Sequence, residues 1–195
     1  MRNFILYILI GSGLLYTSCN EPYLPKKNGY QQYTFPVKAY KSFDSLSYPY
    51  QFEYPTYAFI DKNVNYFGVD KKSDASINIQ FPDFNAILYV SYKQIRPNQL
   101  DTLINDAYKF ANNHSNKASY IEDSIFTTDN GVKGAFFHIG GNVATTYQFF
   151  LTDSARHFFR GALYFNTTPN EDSLAPMNAF LLQDVKHLVN TFRWK

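Results

Sequence analysis

The chain has 195 residues, a formal net charge of +2 and a single cysteine, and 19% of its residues are aromatic. This length predicts one domain with a substantial core, and the lone cysteine excludes an internal disulfide. The even charge balance favours neither nucleic acid nor an acidic partner. The 17 tyrosines and 19 phenylalanines favour a pleated sheet with large cross-strand side chains, with an exposed aromatic binding face as the alternative.

The start of the chain has the layout of a bacterial lipoprotein signal. Arg2 makes a short basic start, residues 4–15 are mostly apolar, and the small Thr17 and Ser18 precede Cys19. The apolar run is too short to span a bilayer, although a transmembrane anchor with an incidental cysteine is the alternative. The usual signal has leucine three places before the cysteine, where this chain has tyrosine. We expect residues 1–18 to be removed and Cys19 to be acylated as the first residue of the mature protein.

The composition of residues 19–48 predicts a tether between the lipid and the domain. Pro22, Pro25, Gly29 and Pro36 interrupt this segment, and it shows no apolar periodicity. Such composition is typical of an extended linker. A stretch around residues 30–37 is a candidate edge strand, and we expect the folded domain over residues 49–195.

Alternation of apolar and polar residues predicts the first strands of the domain, at residues 50–54, 57–60 and 77–81. Pro82 and Asp83 end the third of these as a turn. The next strand, residues 86–95, carries apolar groups on both faces. We therefore expect it to be central in the sheet and covered on both sides.

Two amphipathic helices are predicted, with a meander between them. Residues 100–111 place apolar side chains at helical spacing, and Asn98 can cap their start. Short polar turns separate the later segments of an antiparallel meander, which is predicted at residues 120–126, 132–139, 143–151 and 157–165. The closing helix is expected to start near Pro176, because proline suits a first helical turn. Its buried stripe is Met177, Leu181, Val185, Leu188 and Phe192.

This order of elements predicts an α+β domain with a largely antiparallel sheet and two main helices packed on it. The order is similar to that of the PsbP-like sandwich, a group that includes non-enzymatic accessory proteins. The likeness is one of topology, and a fold does not by itself give a function.

The sequence indicates no metal, cofactor or catalytic site. Its histidines lie in four different predicted elements, and no two of them have metal-ligand spacing. They are His114, His138, His157 and His187. The alternative class is a periplasmic ligand-binding or hydrolytic lipoprotein with a pocket between sheet and helix. A deep pocket with converging polar groups would favour that class, and a shallow aromatic patch would favour a binding module.

Six blocks of sequence carry a resemblance to a known family. They are PKKNGY at 25–30, YPTYA at 54–58, PDFNAILYVSYK at 82–93, FFLTD at 149–153, FRGALYF at 159–165 and PNEDSL at 169–174. Together, and in this order, they resemble the gliding-motility lipoprotein GldD family of the phylum Bacteroidota. The likeness covers nearly the whole mature chain. One departure is Ala75-Ser76, where typical members are expected to have a Cys-Trp pair.

The resemblance implies a place in the envelope machinery for gliding and the associated type IX protein secretion. It implies a non-enzymatic lipoprotein whose partners are other gliding and secretion proteins of the envelope, with no cofactor. Only Cys19 carries over as a functional position, as the site of a palmitate-type acyl anchor in the membrane. Residues 20–22 lack the acidic run of surface-exported lipoproteins of this phylum, so we expect a periplasm-facing protein, at either the inner or the outer membrane.

A recurring tripeptide suggests surface modification. Five aspartates precede serine or threonine and then an apolar residue, at 44–46, 101–103, 123–125, 153–155 and 172–174. The pattern resembles the O-glycosylation signal of exported proteins of this phylum, and a glycan must lie on the surface. The candidate acceptors are Ser154, which is favoured by its place in a hairpin turn, and Ser173 and Ser45. The alternative is that these pairs are only turn and cap residues.

Overall fold

The computed structural model describes residues 33–62 and 75–195. A compact unit spans Thr34–Lys195. The signal segment, Cys19 and the first part of the predicted tether lie outside the described residues. Among the residues that are described, no helix is long and apolar enough to cross a membrane.

Ten strands and two α-helices form the unit, counted over the described residues. The strands are β1 (Tyr40–Phe43), β2 (Tyr50–Pro55), β3 (Phe59–Asp61), β4 (Ile77–Phe81), β5 (Ala86–Gln94), β6 (Ala118–Thr127), β7 (Lys133–Gly141), β8 (Thr145–Thr152), β9 (His157–Phe165) and β10 (Arg193–Trp194). The helices are α1 (Leu100–Asn112) and α2 (Glu171–Thr191), and a 3-10 turn, Pro82–Phe84, follows β4.

The strands make two antiparallel sheets. Seven strands pair in the order β3-β4-β5-β9-β8-β7-β6, and three pair in the order β1-β2-β10. The predicted meander, β6 to β9, forms consecutive hairpins, and Gly131 and Gly141 supply the positive φ that the first two turns need. An α+β domain with a largely antiparallel sheet and two helices is confirmed.

The seven-stranded sheet buries its two faces against different elements. On one face, side chains of β4, β5, β8 and β9 pack with β2 and with the apolar stripe of α2, including Leu181, Val185 and Leu188. On the other face, α1 packs on β7, β8 and β9. Because side chains alternate along a strand, Phe149 and Phe150 on β8 contribute to opposite cores.

The prediction that β5 is covered on both sides is wrong. Leu88 and Val90 are buried on one face, whereas Ile87, Tyr89 and Ser91 on the other are only half-buried. Since α1 packs on β7, β8 and β9, it leaves this part of the sheet partly open.

Part of the predicted tether belongs to the compact unit, which begins at Thr34 and not at residue 49. The strand β1 pairs antiparallel with β2, although residues 33–37, the described part of the candidate edge strand, form no strand. Periodicity did not indicate β1 because only Phe43 of its four residues is buried.

The start of α2 and the cap of α1 need correction, whereas α1 begins at residue 100 as predicted. The helix α2 starts at Glu171, so Pro176 lies inside it, and Asn170 is the N-cap, whose side chain accepts from the amide of Ser173 at 2.9 Å. Pro176 is exposed and is the sixth residue of the helix, beyond its first turn, so it removes one backbone hydrogen bond within α2. Asn98 does not cap α1: it adopts a φ of 60°, and Gln99 holds the N-cap position.

Candidate functional site

The four histidines have different surroundings, and three of them, His138, His157 and His187, have separate hydrogen-bond partners. Tyr120 contacts His138 (3.3 Å, hydroxyl to Nε2), and His187 contacts Glu53 (2.7 Å, Nε2 to Oε2). His114 follows α1 and is half-buried, and its burial lowers its pKa. In the described part of the chain, no group of three or more His, Cys, Asp or Glu side chains could hold a metal ion.

His157 belongs to a buried structural contact. Its ring stacks on Trp194, with centroids 5.1 Å apart, and its Nδ1 lies 2.6 Å from the hydroxyl of Tyr92. Burial lowers the pKa of His157, which favours a neutral imidazole, and its Nδ1 shares one hydrogen bond with the hydroxyl of Tyr92. The contact ties β10 and β5 to the start of β9.

A buried ionic network, which the sequence analysis did not predict, joins the N-terminal residues to α2. Asp184 on α2 is 2% exposed. Its Oδ2 lies 2.7 Å from Nζ of Lys38, and its Oδ1 accepts from the hydroxyl of Tyr40 at 3.0 Å. The hydroxyl of Tyr57 also donates to Oδ2. We call Lys38, Tyr40, Tyr57 and Asp184 the Asp184 network.

The ammonium group of Lys38 has further partners. It donates to the carbonyl oxygen of Phe180 at 2.9 Å and to the hydroxyl oxygen of Tyr57 at 3.0 Å. It also lies 3.3 Å from the centroid of the Phe180 ring, where the electron-rich face attracts a cation. The hydroxyl of Tyr57 therefore accepts from Lys38 while it donates to Asp184.

The electrostatics of the Asp184 network oppose catalysis by its tyrosines. Burial, together with the charge of Asp184, raises the pKa of Tyr40 to about 12 and also raises that of Tyr57. Burial lowers the pKa of Lys38, while Asp184 acts in the opposite direction. A tyrosine that acts as a nucleophile or a base needs a lowered pKa, which is the opposite of the shifts seen here. The network therefore holds residues 38–40 against α2.

A cavity of about 210 Å³ lies between α2 and strands β6 to β8. Tyr120, His138 and Tyr147 line it from the sheet, and Glu171 and Asn178 line it from the helix. Asn178 is 7% exposed, and its Oδ1 has no hydrogen-bond partner among the described protein atoms. A pocket between sheet and helix is the feature expected of the alternative, ligand-binding class, but Asn178 and the other lining residues were not predicted from the sequence. We call it the Asn178 cavity.

Local packing arranges the aromatic wall of the Asn178 cavity. Tyr120 pairs across the sheet with Gly140, and a Cβ at Gly140 would lie 2.2 Å from the Tyr120 ring, so only glycine lets the ring lie there. His138 pairs with Tyr147 and stacks on it, with centroids 5.1 Å apart, and it meets Tyr120 edge-on at 5.2 Å. The three rings form a continuous row.

The candidate glycosylation sites differ in accessibility. Ser154 is exposed in the turn between β8 and β9 with a φ of 64°, and Ser173 is exposed in the first turn of α2. Ser45 is half-buried.

Asp153 acts as a turn residue: its Oδ1 accepts from three backbone amides, at 2.7–2.9 Å. Burial opposes ionisation of Asp153, but these hydrogen bonds outweigh it and lower its pKa.

The partly open part of the seven-stranded sheet carries aromatic and aliphatic side chains. Register places Phe59, Ile87 and Tyr164 in one cross-strand row, with Tyr89 on the same face. Phe59 is 50% exposed, and the rings of Tyr89 and Tyr164 meet edge-on at 5.5 Å. We call these four residues the open sheet face. It is a partly exposed aromatic surface, in which Phe59 is the most exposed side chain.

Comparison with known proteins identifies the family. The family model described as gliding motility lipoprotein GldD matches residues 20–194. The chain belongs to this family. The resemblance seen in the sequence is therefore confirmed, and the family is one of envelope lipoproteins. No curated protein matches the chain.

A solved structure confirms the PsbP-like architecture. The solution structure of cyanobacterial PsbP (CyanoP) from Synechocystis sp. PCC 6803 is similar to this chain, with a TM-score of 0.50 and 13% sequence identity. The match covers 85% of this chain and 98% of that chain. At this identity the likeness is one of fold alone.

Proposed function

We propose that this GldD family protein is a non-enzymatic lipoprotein that supports gliding motility and type IX secretion by binding other envelope proteins. The family match over residues 20–194 is the observation that carries the proposal. Acylated Cys19 would hold the protein at a membrane, facing the periplasm. The Asp184 network supports a structural role, since its tyrosines have raised pKa values and its charges are paired.

The exposed apolar side chains give positions at which to test partner binding. Phe59 on β3 is 50% exposed and Ile125 on β6 is 80% exposed, and these strands are the opposite edges of the seven-stranded sheet. A photo-crosslinking phenylalanine analogue at either position should leave the core intact because both side chains already face solvent.

We expect irradiation of gliding cells to give a discrete adduct at Phe59, on the open sheet face, that contains a gliding or secretion protein. Ile125 is the matched control, because it is equally apolar and lies on the same side of the sheet but at the opposite edge, away from the four residues of the open sheet face. Mass spectrometry of the adducts identifies the partner. Absence of a discrete adduct at both positions, in cells that glide normally, would contradict the interaction role.

We also propose that Ser154 carries an O-linked glycan. Its hydroxyl lies in an exposed turn, and the turn geometry is held by the hydrogen bonds of Asp153, so a sugar can be attached without disturbing the fold. The intact mass of protein from its native host should exceed that of the lipidated polypeptide, and Ser154→Ala should remove one glycan mass.

The control is Ser115→Ala, an exposed serine that does not follow an aspartate, which should keep the full mass. A wild-type mass equal to that of the lipidated polypeptide would rule out glycosylation altogether. A glycan that persists in Ser154→Ala would move the site to Ser173 or Ser45.

A further inference from the structure

A cavity of about 370 Å³ lies where the loop before α1 meets the turn between β8 and β9. We call it the Ser154 cavity, because Ser154, the serine proposed above to be glycosylated, lines it. The other two candidate acceptors, Ser173 and Ser45, line neither this cavity nor the Asn178 cavity. The tripeptide pattern and the cavity therefore coincide at one residue. The rest of the lining includes Arg96, Pro97, Asn98, Leu100 and Asp101.

The turn side of the Ser154 cavity has a fixed backbone. Ser154 has a φ of 64°, which is uncommon for a residue other than glycine. Its amide donates to Oγ1 of Thr152 at 2.9 Å, and the carboxylate of Asp153 accepts from the three amides that follow Ser154. The side chain of Ser154 is exposed. A sugar on its hydroxyl therefore starts at the rim of the cavity, from a position that does not drift.

The loop side of the cavity is held by hydrogen bonds as well. The amide of Ile95 donates to the carbonyl oxygen of Arg156 at 2.8 Å, which joins the loop to the turn. The amide of Arg96 donates to Oε1 of Gln99 at 3.2 Å, and Asn98 has a φ of 60°. Because both sides are fixed and joined to each other, little conformational entropy is lost when a ligand enters.

The chemistry of the lining suits a neutral sugar. The exposed side chains of Arg96, Asn98 and Asp101 offer hydrogen-bond donors and acceptors to hydroxyl groups. Pro97 and Leu100 offer apolar surface to the C–H face of a ring. The charges of Arg96 and Asp101 cancel, so the lining favours neither an anionic nor a cationic sugar. Within the described residues, neither charged group forms an ion pair, and both are therefore available to a ligand.

The size and exposure of the cavity suit a sugar that is covalently attached. A volume of about 370 Å³ lies within the ~300–1,000 Å³ of drug-sized pockets, so one pyranose ring fits. Exposed polar groups bind a free sugar weakly, because they exchange bonds with water for bonds with the ligand. A short flexible linkage to Ser154 keeps the effective concentration of the sugar in the mM range. A Kd of about 1 mM is then sufficient for the cavity to be occupied much of the time.

We propose that the first sugar of a glycan on Ser154 docks in the Ser154 cavity. The sugar is a neutral hexose or N-acetylhexosamine whose hydroxyls bond to Arg96, Asn98 and Asp101. This docking rests on the glycan proposed above at Ser154 and adds where that glycan lies. A docked sugar joins the turn between β8 and β9 to the start of α1. It therefore stabilises the fold and slows local opening of both segments.

The test compares the full-length lipoprotein from its native host with the same protein from a bacterial host that acylates but does not O-glycosylate proteins. Intact mass first establishes that the native protein carries a glycan that Ser154→Ala removes. Glycosylation should then raise the Tm of the wild type by about 2 °C or more, and this gain should be absent in Ser154→Ala. Hydrogen exchange over residues 95–101 should be slower in the glycosylated wild type by about threefold or more.

Two variants connect the gain in Tm to the cavity. Asn98→Gly removes the amide side chain and keeps a residue that adopts a positive φ readily, and Arg96→Ala removes the guanidinium group. In each variant the gain on glycosylation should fall to about half of the wild-type gain or less, whatever the substitution does to the non-glycosylated protein. Arg193→Ala, at an exposed arginine outside the lining, is the control and should keep the full gain.

A glycan on Ser154 that changes neither the Tm nor the hydrogen exchange would overturn the docking and leave the glycosylation intact. A full gain in both Asn98→Gly and Arg96→Ala would also overturn it, because the sugar would then act elsewhere. A native protein without added mass would overturn the glycan and the docking together. Intact mass and Tm are separate measurements, so the two failures are distinguishable, and neither bears on the crosslinking at Phe59.

Discussion

Replacement of Asp184 by alanine should lower the free energy of unfolding by about 3 kcal/mol, because it leaves a buried ammonium group without its counter-ion. Lys38 keeps 22% of its side chain exposed whereas Asp184 keeps 1%, which puts the loss at the lower end of the range for buried pairs. The hydroxyls of Tyr40 and Tyr57 lose their acceptor in the same variant. Urea denaturation followed by tryptophan or tyrosine fluorescence measures the change.

Gln183→Ala is the matched control for Asp184→Ala, since it removes an exposed side chain one residue away on the same helix. Its effect should stay within about 0.5 kcal/mol. When Lys38 is first replaced by methionine, the further loss from Asp184→Ala should shrink by about 1 kcal/mol or more, because no ammonium group is left unpaired. Equal losses in Gln183→Ala and Asp184→Ala would contradict the Asp184 network.

The strands whose bounds the sequence predicted best lie between clear turns. β4 and β9 have the predicted bounds, 77–81 and 157–165. In β4 apolar and polar residues alternate, so a period of two was sufficient. β9 is apolar on both faces, and the polar turn before it indicated where it begins.

The start of α2 shows a conflict between two local signals. Proline at position 176 suggested a first turn, but Asn170 with the acidic Glu171 and Asp172 forms an N-cap and first turn further upstream. The helix begins at the cap because the side chain of Asn170 satisfies the amide of Ser173, and α2 contains Pro176 in its interior at the loss of one hydrogen bond. The sequence contained the right signal, and the proline was given too much weight.

The Asp184 network could not be predicted from periodicity because its contacts are non-local. Tyr40 reaches Asp184 across 144 residues of sequence, and Lys38 reaches Phe180 across 142. One local signal existed: Asp184 lies between Leu181 and Val185 in the apolar stripe of α2, and a charged residue there needs a partner. That signal predicts that Asp184 has a buried partner, but it does not predict that the partner is Lys38.

The Asn178 cavity forms where side chains of α2 and of the sheet do not meet. A local sequence pattern does not show where such a gap occurs. Asn178 also lies in the buried stripe of α2, between Leu174 and Leu181, so a polar group facing the sheet was predictable. Whether its amide oxygen meets a donor is decided by how α2 packs over β6 to β8. Gly140 leaves room for the Tyr120 ring. In the sequence alone, the same glycine is equally consistent with a residue of a turn.

Cys19→Ala should abolish acylation and move the protein from the membrane fraction to the soluble one. Acyl chains contribute ~0.8 kcal/mol per buried methylene, so two or more chains anchor firmly where one would bind reversibly. Labelling of cells with a clickable palmitate should mark the wild type and leave Cys19→Ala unlabelled. If the protein acts at the membrane, gliding should be lost in the same variant even when its abundance is normal.

A transmembrane anchor predicts the opposite result, because residues 4–15 would still hold Cys19→Ala in the membrane fraction. Thr17→Ser is the matched control, since it keeps a small residue before the cysteine and should be labelled as the wild type is. Equal labelling of wild type and Cys19→Ala would exclude Cys19 as the acylated residue. Full retention of the unlabelled variant at the membrane would show that the apolar run is itself the anchor, and that the lipid is not needed to keep the domain at its place of action.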